Sequence, residues 1–73
     1  MSAPHPLIAE LRTLRTERGL SINALSRALG YAAPTIQSWE AGRTVPNLDV
    51  LTDYATVMGV RVVLEPAAER TAA

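Results

Sequence analysis

Four glycines, Gly19, Gly30, Gly42 and Gly59, divide this chain into segments that are each long enough for one short helix and little more. Glycine takes the left-handed backbone that closes a helix without penalty, so a glycine at the end of an apolar-periodic run marks a stop. Each of these four follows such a run. The pattern predicts a set of short helices joined by tight turns.

Pro6 precedes Leu7, Ile8, Leu11 and Leu14 at helical spacing, with Glu10, Arg12, Arg15 and Glu17 between them. Proline is tolerated in a first turn, so a first helix is predicted over residues 6 to 18. Ser21 is a good N-cap for a second helix with Ile22, Leu25, Ala28 and Leu29 on its apolar side. A third helix fits Ala33 to Ala41, with Pro34 in its first turn and Ile36 and Trp39 facing inward. Asn47 caps a fourth, which buries Leu48, Leu51, Tyr54, Ala55 and Met58. Tyr31 is expected half-buried at the turn before the third helix. After Gly59 the period changes. Val60, Arg61, Val62, Val63 and Leu64 are mostly β-branched and stop before Pro66, which predicts a strand over residues 60 to 66. The organisation expected is a flexible N-terminus (1–5), a helical domain (6–59), the strand (60–66) and a flexible tail (67–73).

Composition narrows the function. With 73 residues the chain holds one small domain, and 48% hydrophobic residues are enough to fold it. It has no cysteine, and its one histidine, His5, lies between prolines near the start, so His5 is expected to be plain tail and no metal or cofactor is expected. No apolar run approaches a membrane span and residues 1 to 6 lack the regions of a signal peptide, so the expected location is the cytoplasm. A nucleophile with a base, or paired acids, is not evident, so an enzyme is not expected. Seven basic residues, all arginine, balance seven acidic ones. That neutrality works against binding a polyanion through bulk charge, although net charge does not describe where the charges sit.

The second and third predicted helices with the glycine turn between them have the arrangement in which one helix crosses a DNA backbone and the next enters the major groove. A small residue at the helix contact (Ala24 or Ala28), Gly30 at the turn and Ile36 behind the reading helix meet its packing needs. The ordered fragments Leu11-Arg12-Thr13-Leu14-Arg15, Arg18-Gly19-Leu20-Ser21, Ala24-Leu25-Ser26, Leu29-Gly30-Tyr31, Thr35 to Arg43 and Pro46 to Leu51 resemble the Cro/repressor (XRE-like) helix-turn-helix family. The resemblance covers roughly Leu11 to Gly59.

It implies a mainly α, lambda-repressor-like domain of four helices that binds double-stranded DNA. Base-reading positions then fall on Ala33, Pro34, Thr35, Gln37 and Ser38, and phosphate anchors on Ser21, Asn23, Arg43 and Thr44. Arg15 and Glu40 match a structural salt bridge of the family, joining the first and third helices. Gln37 has the best chemistry for direct reading, because an amide can donate to and accept from an adenine edge. The Tyr31 hydroxyl is expected near a phosphate of a bound duplex. Two positions depart from the family pattern: Ile22 stands where a phosphate-clamping glutamine is usual, and Ala32 where a serine or threonine cap is usual.

A lone strand in a helical domain leaves backbone groups unpaired, and the simplest partner is the same strand of a second copy. Antiparallel pairing centred on Val63 sets Arg61 against Glu65 of the mate and Val62 against Leu64, with Val60 at the start of the strand. Such a terminal strand also resembles phage Cro proteins and antitoxins of the Hip type. The function expected is a Cro-like transcriptional regulator, a repressor acting as a homodimer on a two-fold-symmetric operator, with no small-molecule effector. A DNA-binding antitoxin is the alternative.

Overall fold

The computed structural model describes residues 3–67; Met1, Ser2 and residues 68–73, most of the expected tail, lie outside the described residues. Among them are four helices, α1 (Pro6–Glu17), α2 (Ile22–Leu29), α3 (Ala33–Glu40) and α4 (Leu48–Val57).

Local chemistry fixes most of their ends. Ser21 Oγ accepts from the Ala24 N–H at 3.0 Å to start α2, and Asn47 Oδ1 accepts from the Val50 N–H at 2.9 Å to start α4. Each cap satisfies one of the amides that a helix leaves without a partner, and each contributes about 1 kcal/mol. Gly30 ends α2 at φ 80, a conformation unfavourable for any side chain with a Cβ. α1 begins differently from expectation. His5 is more than tail: its Nδ1 accepts from the Leu7 N–H at 3.1 Å and caps the helix. At the start of α3, Ala32 makes no side-chain cap, as a methyl group must.

The four helices enclose one core of Ile8 and Leu11 from α1, Leu25 from α2, Ile36 and Trp39 from α3, and Val50, Leu51, Tyr54 and Ala55 from α4, closed by Met58. Burying each of the larger side chains contributes roughly 1.5–3 kcal/mol. α2 packs against both α3 and α4, and α1 packs against the same two, so α3 is held from two sides.

Two residues expected inside are outside. Leu48, the first residue of α4, is 77% exposed and stands at a cleft with His5, Leu7 and Val45 that no other side chain fills. Ala28 is exposed, lying to one side of the fully buried Leu25, so the small residue at the helix contact is the half-buried Ala24.

The segment after α4 leaves Gly59 with the Val60 N–H donating to the Ala55 carbonyl at 3.0 Å, then runs beside α1. Arg61, Val62, Val63 and Glu65 form one wall of an open groove of about 490 Å3, and Leu7, Glu10, Leu11 and Leu14 form the other. The strand expected over 60–66 is not seen; residues 60–67 take no regular secondary structure. A strand is defined by its ladder to a second edge, and the described residues of one chain hold no such edge. Val62, Val63 and Leu64 are left exposed.

At the other end, the chain's start lies over the turn that follows α3. Gly42 has φ 82, and a Cβ there would stand 2.7 Å from the Ala3 carbonyl group. Glycine is required at position 42 both for its backbone conformation and for that contact.

Candidate nucleic-acid interface

α3 is anchored along one side and open along the other. Ile36, Trp39 and Glu40 are buried, while Pro34, Thr35, Gln37 and Ala41 are exposed and Ala33 and Ser38 are half-buried. At 100° per residue, Pro34, Ser38 and Ala41 lie opposite the buried stripe, with Gln37 and Thr35 on its two flanks.

Behind α3 the turn is braced by Ser26, whose hydroxyl donates to the Tyr31 carbonyl. The Tyr31 ring tilts against Trp39 with centroids 5.5 Å apart and an interplanar angle of 60°. Tyr31 is 41% exposed.

The loop after α3 folds back onto it. The Arg43 N–H donates to the Ser38 carbonyl at 3.0 Å, and Thr44 Oγ1 donates to Ser38 Oγ at 2.9 Å. Two expected phosphate positions, Arg43 and Thr44, are thereby tied to an expected base-reading position, Ser38. Ser21 and Asn23 are exposed at the start of α2. The Ser21 oxygen is engaged in its cap, which leaves its O–H free to donate.

Arg15 and Glu40 are brought together as a buried, two-bonded pair. Arg15 Nε reaches Glu40 Oε2 at 2.9 Å and Nη2 reaches Oε1 at 2.8 Å, while Nη1 donates to the Leu20 carbonyl at 2.8 Å. The hydrogen bond to Glu40 is the main reason the Arg15 pKa is raised, so its guanidinium stays charged. Tyr54, expected as plain core, also belongs to this set: its hydroxyl donates to Glu40 Oε2 at 2.7 Å. Burial first, and then this hydrogen bond, push the phenol well above its ordinary range. No local period links positions 40 and 54, so the sequence carries no sign of that contact.

Arg12 has no site role on sequence grounds, yet it stands beside the same carboxylate. Its Nε lies 3.8 Å from Glu40 Oε1, and it lines a cleft of about 270 Å3 with Ile22, Gln37, Glu40 and Ala41. In the sequence its only mark is a position one helical turn before Arg15. Gln37 thus stands at the edge of a cleft shared with α1 and α2. Among the described residues no three His, Asp or Glu side chains are grouped to hold a metal ion, and no helix is long and apolar enough to cross a membrane.

Comparison with known proteins agrees with this geometry. A helix-turn-helix domain family matches residues 7–68. The chain is 38% identical over 56 residues to the HTH-type transcriptional regulator DdrOP3 of Deinococcus deserti, covering 77% of this chain and 43% of that protein. The chain therefore spans less than half the length of that relative. No solved structure matches it. From the four-helix core, the Gly30 turn, the anchored α3 and this match, the chain belongs to the XRE-like helix-turn-helix family.

Proposed function

We propose that this protein regulates transcription by binding double-stranded DNA with α3 in the major groove, as a repressor that acts as a homodimer on a two-fold-symmetric operator. The observation that carries this reading is the two-sidedness of α3. Ile36, Trp39 and Glu40 fix it to the core while Pro34, Gln37 and Ala41 stand open to solvent. A helix held this firmly can present side chains to a base edge without first becoming ordered.

In this reading Gln37 addresses an adenine edge, and Thr35 and Ser38 reach a base or a phosphate. Ala33 and the Pro34 ring carry no polar group, so they touch a thymine methyl or follow groove shape. Ser21, Asn23 and the start of α2 hold one stretch of backbone, and Arg43 and Thr44 hold another. The exposed Val62, Val63 and Leu64 support pairing of residues 60–65 with a second copy, which sets two reading helices about one helical turn apart. No cofactor or small-molecule effector enters the scheme. The name of the Deinococcus deserti relative, a transcriptional regulator, supports the same assignment.

Selection of bound duplexes from a random pool, repeated at two salt concentrations, tests it. The expected result is a palindromic consensus whose half-sites repeat at one helical turn. Failure to enrich any sequence, or an asymmetric single half-site, would reject the operator and dimer reading.

A further inference from the structure

We infer that Arg12 is an additional DNA-phosphate contact, extended from α1 across the cleft between the start of α2 and α3. The inference rests on the DNA-binding reading above and names a contact that the reading lacks.

The charge count around Glu40 is its first support. The described residues hold two arginine–carboxylate pairs, and both are on Glu40. Arg15 satisfies that carboxylate through two short bonds, and Tyr54 adds a third. The phenol keeps its proton, so two cations face one anion and the cluster carries one surplus positive charge. The surplus belongs to Arg12. At 3.8 Å its Nε is beyond hydrogen-bond range of Glu40, and its side chain is 56% exposed where that of Arg15 is 11% exposed. An ion pair this long and this open to water holds its partner weakly. Arg12 is therefore available to another anion, while Arg15 is not.

Location is the second support. Arg12 shares its cleft with Gln37, the side chain best suited to a base edge, and with Ile22 at the first position of α2. A backbone that passes the start of α2 while Gln37 enters the groove runs across this cleft. Ile22 has no group that can bond a phosphate oxygen, but its aliphatic surface can support the methylene stem of an arginine. The guanidinium then presents a planar fork to two phosphate oxygens. In a chain of zero net charge, such a locally uncompensated cation has more influence than it would on a strongly basic surface.

The test uses the full chain and a labelled mixed-sequence duplex, with affinity measured across a salt series. Parent, Arg12→Gln, Arg12→Lys and Arg43→Ala are compared, and thermal midpoints are recorded for each. The expected result is that Arg12→Gln lowers the slope of log affinity against log salt by about 0.9 per protomer, with the thermal midpoint unchanged. Arg12→Lys should keep the parental slope. If Arg43→Ala loses slope while Arg12→Gln keeps it, the Arg12 contact is refuted and the DNA-binding reading stands. If Arg12→Gln lowers the thermal midpoint and Arg12→Lys restores neither slope nor midpoint, Arg12 is a structural brace and the inference fails. If the parent binds no duplex at all, the underlying reading fails and takes this one with it.

Discussion

Arg15 on α1 and Glu40 on α3 meet face to face, with both carboxylate oxygens bonded to one guanidinium at 2.9 and 2.8 Å. Glu40 is the last residue of α3, so this pair fixes the angle at which the exposed side of that helix leaves the core. The stability, the alkaline behaviour and the presentation of α3 all depend on it.

Removing one member should therefore be severe. Glu40→Ala leaves the buried Arg15 guanidinium uncompensated, with an expected loss of about 3–5 kcal/mol in urea unfolding. The variant Arg15→Met/Glu40→Leu/Tyr54→Phe should recover much of that loss, since an apolar set of similar size leaves neither a buried charge nor the hydroxyl that bonds Glu40 unpaired. A single variant within about 1 kcal/mol of the parent would contradict the pairing.

Tyr54 gives the fold a pH dependence on the alkaline side. The unfolded chain releases its phenol proton near the ordinary value of 10.0, whereas the folded chain keeps it to higher pH. The native state then binds more protons, and its stability falls as pH rises through that window. Urea midpoints followed from about pH 9 to about pH 11 should decline in the parent, with a shallower decline in Tyr54→Phe. At neutral pH the same variant should lose about 1.5–3 kcal/mol with its hydrogen bond to a charged group. Parallel declines for the two proteins would show that Tyr54 is not the source.

Ala32 offers a gain. Its backbone, φ −63 and ψ 145, is the extended form a capping residue adopts, and only the side-chain acceptor is missing. Ala32→Ser is expected to stabilise by about 1 kcal/mol. In a chain of this size that raises the thermal midpoint by roughly 4–8 °C. An unchanged midpoint would mean that the Thr35 N–H, which donates to the Ala32 carbonyl at 3.0 Å, gains nothing from a second acceptor.

Gln37→Ala should relax preference at one base pair of each half-site while keeping affinity for mixed-sequence DNA. Arg43→Ala should weaken all sequences alike and flatten the salt dependence. Titration of matched and single-mismatch duplexes separates the two. Identical specificity for Gln37→Ala and the parent would remove Gln37 from the reading surface.

Leu64 separates dimer from monomer cleanly. It is 99% exposed in the single chain, so Leu64→Asp should leave the core intact. In the two-fold pairing it lies opposite the mate's Val62, where an aspartate is unfavourable. Sedimentation at tens of micromolar is expected to show a dimer for the parent and a monomer for the variant. Indistinguishable masses would dissociate this segment from assembly.

The helix ends were legible in the sequence because caps and glycines act within a few residues of themselves. Ser21, Asn47 and Gly30 do in three dimensions what their chemistry does locally. His5 reads as tail in the sequence because an imidazole is an uncommon cap. Leu48 shows the limit of periodicity, which tells which side of a helix is apolar but not whether anything stands there to cover it. The Arg15–Glu40 pair was reachable only through family resemblance, and its extension to Tyr54 and Arg12 depends on tertiary contacts that no spacing encodes. The strand expected over residues 60–66 is not seen, because a β-branched run carries a tendency to extend but not the second edge that would make a ladder.

The contact of Ala3 with Gly42 has a practical side. An affinity tag or fusion partner placed ahead of Ala3 would emerge beside Arg43 and Thr44 and crowd whatever those residues touch. With no cysteine in the chain, a single Asp53→Cys change on the exposed side of α4 gives one thiol for a dye. Labelling there leaves both ends of the polypeptide unencumbered.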